Sequence, residues 1–293
     1  MNMIQQNIIR TYIYMAILTA VVALMAYAIS QASGYGSSGV GVGLIIAGVM
    51  NFVAYYFSDR IVLAQTKAQK VTQQDSPEYF EIMSSLAKNA NLPMPSIYII
   101  PDTAMNAFAT GRDAEHAAVA VTQGLLQRLS RDEIEGVIAH ELSHVRNYDM
   151  RLMSTVSILV GMLNILANMF WRAGLFGRSS SREDSRTNSI ISIVLIMVTP
   201  IVGMLIQLAI SRQREFLADA SAAQLVGSPQ GLISALQKLG SSKIPLATAD
   251  VSTAHLYISN PFGDNLLFTN LLSTHPPMQE RIARLKQLAH LQQ

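Results

Sequence analysis

Long apolar stretches alternate with polar segments along the chain. Four of these stretches contain no charged residue: Tyr12 to Ile29, Val40 to Phe57, Leu152 to Trp171 and Ile190 to Ile210. Each is long enough to cross the hydrocarbon core of a bilayer as a helix, which takes roughly 20 residues. Aromatic residues at their ends are typical of membrane interfaces. The pattern predicts four transmembrane helices; four buried helices of a large soluble core are the alternative.

The first stretch has two interpretations. Arg10 precedes it, and Ala26-Tyr27-Ala28 is similar to a signal-peptide cleavage site. Its apolar run is longer than the roughly 7 to 15 residues of a signal peptide, and a second stretch follows at once, so we favour a retained anchor. Where the second stretch begins, Gly39 and Gly43 have the spacing that lets membrane helices approach closely. Flexible glycine at a helix entrance is the other explanation.

The apolar stretches divide the chain into four predicted parts. These are a membrane hairpin (1–57), a soluble block (58–151), a second membrane hairpin (152–210) and a C-terminal soluble part (211–293). The soluble block begins with helix-like sequence up to about Ala90. It then has short β-strand patterns at Ser96 to Ile100 and Ala117 to Val121.

Composition narrows the classes of function. Of the 293 residues, 50% are hydrophobic and 14% are charged, against about a quarter charged in an ordinary soluble domain. This balance excludes intrinsic disorder. The absence of cysteine excludes a disulfide scaffold, and it means that a metal site must use His, Asp and Glu. The net charge of +2 comes without a concentrated basic stripe, so nucleic acid is not an expected partner.

The motif with the clearest chemistry is His140-Glu141-Leu142-Ser143-His144. Before it, Ser130 and Glu133 form a capping-box pattern, so a helix should begin at about Arg131 and include the motif. Histidines four residues apart lie on one face of a helix, where both rings can bind one metal ion. Glu141 then lies within reach of a metal-bound water as a general base. Two incidental histidines on an exposed helix are the alternative.

A catalytic zinc ion usually has three protein ligands and one open position. The candidates for the third ligand include the other four histidines, His116, His255, His275 and His290. We favour Glu215, because it follows the fourth apolar stretch closely and Asp219 lies one helical turn further along the same face. Asp219 is then placed to bond the far nitrogen of a zinc-bound histidine.

The same pairing predicts the topology. His144 and Glu215 can share one ion only if the third and fourth stretches form an antiparallel pair, which puts the N-terminus, soluble block and tail on one side. The basic residues near the ends of the stretches on that side are Arg10, Arg60, Lys67, Lys70, Arg146, Arg151, Arg212 and Arg214. Those on the opposite side are Arg172, Arg178, Arg182 and Arg186. The positive-inside rule therefore places the candidate site in the cytoplasm.

Four segments of the chain resemble the HtpX-type membrane zinc endopeptidases, relatives of the CAAX prenyl proteases. They are Asn106-Ala107-Phe108-Ala109-Thr110-Gly111, His140 to His144 with Asn147 and Asp149 behind, Ser211 to Asp219, and Thr274-His275-Pro276-Pro277 followed by Arg281-Ile282. The resemblance implies a mainly α, integral membrane protein with four transmembrane helices and a cytoplasmic, zincin-like α+β metalloprotease domain.

The resemblance also implies roles. Glu215 would be the third ligand of a single zinc ion and Asp219 the residue behind a ligand. His275 and Arg281 would stabilise the oxyanion, and Asn106 would hold substrate backbone. The enzyme would lie in a bacterial cytoplasmic membrane, facing the cytoplasm, and would act without ATP on damaged or misfolded membrane proteins in quality control.

The predicted reaction is zinc-assisted peptide hydrolysis with Glu141 as the base. An extended substrate is expected to pair with the edge of the predicted strand, along Ala117, Val119 and Val121.

Three alternatives stay open. In a non-catalytic membrane adaptor, zinc would tie two helices together, and Glu141 would have no purpose. A metal transporter would carry ionisable residues within its spans, and these four stretches have none. A prenyl-protein protease would need more spans to enclose the chamber that such relatives possess.

Overall fold

A computed structural model describes residues 3–32, 37, 39–176, 212–263 and 276–291. The fourth predicted span, Ile190 to Ile210, and the predicted site residue His275 lie outside these residues.

The first two apolar stretches form a pair of packed helices, α1 (Met3–Ala32) and α2 (Gly39–Tyr56). Both are long and apolar enough to cross a membrane. A Cβ on Gly43 would lie 2.6 Å from Cβ of Ala26, so the pair is in close contact there, as the glycine spacing predicts. The outer face of α2 exposes large apolar side chains, including Ile45 and Phe52. Such a face suits a lipid environment.

The third apolar stretch lies in α7 (Asp149–Phe176), which confirms a helix there. Its first half is buried: Leu152, Val156 and Leu159 join the core formed with α1 and α2. The helix therefore packs against both α1 and α2.

The rest of the described chain forms a small sheet with helices packed around it. Its elements before α7 are α3 (Ser58–Gln65), β1 (Gln69–Lys70), α4 (Pro77–Asn89), β2 (Ser96–Ile100), β3 (Ala107–Thr110), β4 (Ala118–Thr122), α5 (Gln123–Arg128) and α6 (Arg131–Arg146). After α7 come α8 (Arg212–Val226), α9 (Gln230–Ser241) and α10 (Met278–Leu291). The two predicted strands are confirmed to within a residue, whereas β3 and β1 were not predicted.

The order of the sheet is β1-β2-β4-β3, with β2 parallel and β3 antiparallel to β4. Both edges of β4 are therefore paired. The prediction that a substrate adds to this strand along Ala117, Val119 and Val121 is wrong, because Val119 pairs with Ile97 on one side and Ala109 on the other. The outer strand on this side of the sheet is β3.

Helix α6 begins at Arg131, as predicted, with a complete capping box between Ser130 and Glu133. From Glu133 to Val145 it is almost entirely buried, because α4, α8, α9 and the sheet surround it. Gly136 allows the closest approach: a Cβ there would lie 2.6 Å from the backbone nitrogen of Leu232 in α9. The helix that carries the histidine motif is thus held from several sides.

Candidate metal centre

The two histidines of the motif meet on one face of α6. Their Nε2 atoms lie 3.1 Å apart, and their rings are nearly perpendicular with centroids separated by 4.7 Å. Both side chains are buried. The helical spacing of His140 and His144 therefore brings two nitrogen donors to one point, as the sequence predicts.

Glu215 reaches the same point from α8. Its carboxylate oxygens lie 3.7 Å from Nε2 of His140 and 3.4 Å from Nε2 of His144. Small residues on the buried face of α8, such as Ala218 and Ala222, let this helix pack directly against α6. One donor atom from each of the three residues lies within 4.8 Å of the others. This set of two imidazoles and one carboxylate fits a divalent metal ion with an open position.

Asp219 stands behind His140. Its Oδ1 lies 3.0 Å from Nδ1 of the histidine, so the sequence prediction of a carboxylate one turn after Glu215 acquires a definite partner. Arg281 of α10 binds both oxygens of Asp219, through Nε at 2.9 Å and Nη2 at 2.6 Å. Burial alone would raise the pKa of Asp219, but the Arg281 charge and these hydrogen bonds outweigh it and lower the pKa.

Arg281 is fully buried although it is a cation. Besides Asp219, its Nη1 donates to the main-chain carbonyl of Ile258 at 3.1 Å and lies 3.5 Å from Glu215. Its Nη2 is 3.4 Å from the ring of His140. The guanidinium therefore connects α10 to two of the site's carboxylates and to one of its histidines.

His144 has a carboxylate of its own. Oδ2 of Asp149, in the first turn of α7, lies 3.1 Å from Nδ1 of His144. Burial by itself lowers the pKa of His144, but the bond to Asp149 and the charge of Glu215 outweigh it and raise the pKa to about 9. Sequence reasoning gave Asp149 no role. The sequence feature that could have indicated this role is an acidic residue shortly after the motif helix, at the start of the next helix.

Glu141, the residue after His140, is buried. Burial raises the pKa of its carboxyl to about 7, and the nearby charge of His144 and a hydrogen bond from the main chain of Ala109 in β3 oppose that rise. A carboxylate whose pKa lies near neutrality can both take and return a proton.

The other histidines fall elsewhere. His116 is exposed and lies beside Arg112 and Asp113. His255 is buried, with Nε2 3.1 Å from the main-chain carbonyl of Met153. The side chain of His290, like His275, is outside the described part of the structure. Among the described histidines, the metal cluster contains His140 and His144.

Asn106 lies just before β3 and is buried. Its amide donates to the main-chain carbonyl of Ser259 at 3.0 Å, and its Oδ1 accepts from the Ser259 main-chain N–H at 3.2 Å. In addition, the N–H of Ile258 donates to the carbonyl of Ala107 at 3.0 Å. Asn106 therefore fixes residues 258–259 along the start of β3, a contact that differs from the predicted contact with substrate.

Comparison of the amino-acid sequence with known proteins identifies the family. Residues 73–289 match peptidase family M48. The chain is 46% identical over 283 residues to a protease HtpX homolog of Syntrophobacter fumaroxidans, covering 95% of this chain and 98% of that protein. It is 42% identical over 287 residues to a protease HtpX homolog of Thermococcus sibiricus, covering 96% of each.

A solved structure has a similar fold. The crystal structure of Ste24p from S. mikatae superposes with a TM-score of 0.52 at 19% sequence identity, over 97% of this chain and 66% of that one. This chain thus spans just under two thirds of the length of that protein. The chain belongs to peptidase family M48 and is a membrane-bound metalloprotease.

Proposed function

We propose that the chain is a zinc endopeptidase with one zinc ion, which hydrolyses misfolded membrane proteins at the cytoplasmic face of a bacterial inner membrane. The observation that carries this proposal is the meeting of His140, His144 and Glu215. Residues from two helices far apart in sequence place three donor atoms within 4.8 Å, with Glu141 buried beside them.

Once His144 has given up its proton, as metal binding requires, two neutral imidazoles and a carboxylate are a donor set that suits zinc and leaves it one positive charge. Zinc bound there supplies a Lewis acid and a water molecule of lowered pKa. The residues behind the ligands fix the imidazole tautomers: Asp219 lies at Nδ1 of His140, and Asp149 lies at Nδ1 of His144. Each histidine then presents Nε2 to the centre of the site.

Glu141 is proposed as the general base. Its raised pKa comes from burial, and the hydrogen bond from Ala109 holds its carboxylate against β3. It takes the proton of the attacking water and passes it to the leaving amine, which restores the carboxylate for the next turnover.

Positive charge for the oxyanion is assigned to Arg281 and His275. Arg281 is bonded to Asp219 and lies beside Glu215, so its charge is close to the proposed metal position. The bonds to Asp219 fix the orientation of the guanidinium. Fixed charge in a buried site stabilises a developing anion strongly, because no reorganisation is needed.

The proposed membrane topology rests on the lengths of the four apolar stretches and on the distribution of basic residues at their ends. We propose four spans that divide the chain into hairpins 1–57 and 152–210 and cytoplasmic parts 58–151 and 211–293. The excess of arginine and lysine on the side of the N-terminus and site supports a cytoplasmic active site. His144 and Glu215 lie within ten residues of the proposed third and fourth spans in sequence. Such a site suits polypeptides that emerge from the bilayer, which supports misfolded membrane proteins as substrates.

The test uses the purified full chain and casein as an unfolded probe. Glu141→Gln is expected to keep one zinc ion per chain and to lose cleavage by at least a hundredfold. Cleavage retained by this variant with zinc bound would refute the base. A parent chain that binds zinc and cleaves nothing would instead favour the adaptor.

A further inference from the structure

The polar side chain of Asn7, in the first apolar helix, contacts the residues that surround the metal centre. This residue is 1% exposed. Its Nδ2 donates to Oδ1 of Asp149 at 2.7 Å and to the main-chain carbonyl of Asn147 at 2.9 Å. Its Oδ1 accepts a hydrogen bond from Nη1 of Arg214 at 3.1 Å. Both ends of the amide are thus directed at the segments that carry the site.

The partners of Asn7 are adjacent to the candidate ligands. Asp149 gives one carboxylate oxygen to His144, at 3.1 Å, and the other to Asn7. Arg214 directly precedes Glu215, and its Nε lies 3.6 Å from the same oxygen of Asp149 that Asn7 binds. Asn7 is therefore bonded directly to Asp149, the residue that orients the candidate ligand His144.

The backbone between α6 and α7 has a hydrogen-bond partner in α1. Helix α6 is followed by Asn147 as its C-cap, Tyr148 adopts a left-handed φ of 60°, and α7 begins at Asp149. A carbonyl at the end of a helix has no N–H donor within its own helix, and the residue Asn147 is half-buried. Asn7 supplies that donor at the bend between the two helices. The position of Asp149 is consequently fixed by α1 as well as by its own helix.

We propose that Asn7 is a positioning residue for the metal centre: by holding Asp149 against His144, it makes metal affinity depend on the first apolar helix. The inference rests on the proposed zinc site. An apolar side chain at position 7 would leave Asp149 and the Asn147 carbonyl without this donor, and the His144 ring would lose part of its restraint.

The experiment measures the zinc affinity of the whole 293-residue chain in detergent by competition with a chromophoric chelator. Asn7→Leu is expected to weaken binding about tenfold, the lower end of the effect of changing a ligand's hydrogen-bond partner. The visible spectrum of the cobalt-substituted protein should shift with it. The matched control is Thr11→Val, one turn further along α1, whose hydroxyl bonds the main-chain carbonyl of Asn7. Its affinity should stay within twofold of the parent.

A double-mutant cycle separates positioning from general damage. In an Asp149→Asn background, adding Asn7→Leu should change zinc affinity by less than twofold, because the residue through which Asn7 acts has already been altered. A full additional loss there, or unchanged affinity in the single variant, would overturn the proposal. If Asn7→Leu does not fold, Asn7→Ser takes its place in the same cycle. A folded parent chain that binds no zinc would refute the proposed function instead.

Discussion

Oδ1 of Asp219 lies 3.0 Å from Nδ1 of His140, and the same carboxylate is bound through both oxygens by the fully buried Arg281. One acidic residue thus orients a candidate ligand and neutralises a buried cation. An uncharged side chain cannot neutralise Arg281, and an unpaired charge in the interior is strongly unfavourable.

Asp219→Asn is therefore expected to lower zinc affinity by about 10- to 100-fold, the range for residues that orient a ligand. Chelator competition on the purified chain measures it. Asp250→Asn, whose carboxylate bonds Ser252 instead, is the control and should bind zinc like the parent. Equal affinity in the two variants would show that Asp219 does not orient the site.

The choice of third ligand gives a second prediction. Glu215→Gln should remove most of the bound zinc, because a neutral amide is a poor ligand for it. His255→Gln should keep one zinc ion per chain and instead lower the thermal stability, because His255 is buried among Met153 and Ser157. Metal analysis of both proteins after identical dialysis makes the comparison. Equal zinc loss would contradict the assignment.

The sequence predicts the site where chemistry depends on local spacing. The helix position of His140 and His144 follows from the capping box at Ser130, and the pairing of Glu215 with Asp219 follows from one helical turn. In each case the residues that matter are neighbours on one helix, so the period of the helix places them.

Features that depend on long-range pairing could not be predicted in the same way. Strand β3 has four residues, and its structure comes from pairing with β4, so the local pattern has little to show. The error about the substrate edge has the same cause: strand order decides whether Val119 is at an edge. Asn7 was missed because nothing near it in sequence indicates its partners, which are 140 residues or more away.

The approach of α9 to α6 leads to a third prediction. Gly136→Ala should destabilise the protein, because the added Cβ would lie 2.6 Å from the backbone nitrogen of Leu232. The backbone of α9 cannot move away as easily as a flexible side chain. Overpacking of this kind costs about 1–3 kcal/mol. Gly161→Ala in α7 is the control, since its nearest neighbour is the Ser252 hydroxyl at 3.8 Å.

Thermal unfolding in one detergent compares the two glycine variants. The Gly161 variant should match the parent or exceed it slightly, because alanine is favoured over glycine within a helix by about 0.5–1 kcal/mol. If Gly136→Ala is as stable as Gly161→Ala, the contact between α6 and α9 is looser than the structure indicates.

The capping box predicts how stability depends on pH. Burial alone would raise the pKa of Glu133, but hydrogen bonds from Lys238, Ser234 and the main chain of Ser130 outweigh it and lower the pKa below the ordinary value of 4.5. A lowered pKa in the folded state means that the carboxylate stabilises the fold fully above the unfolded-state pKa. That contribution is lost as the pH falls through the folded-state pKa.

Glu133→Gln should therefore reduce the melting temperature by a constant amount above about pH 6, and the gap to the parent should shrink below about pH 4.5. The control is Glu135→Gln, which removes an exposed pair with Arg131 at 3.2 Å and should change stability little, because exposed ion pairs contribute about 0–1 kcal/mol. Other carboxylates of the protein titrate equally in all three chains, so the comparison isolates Glu133. A gap that widens in acid would reverse the sign of the pKa shift and contradict the hydrogen bonding described for Glu133.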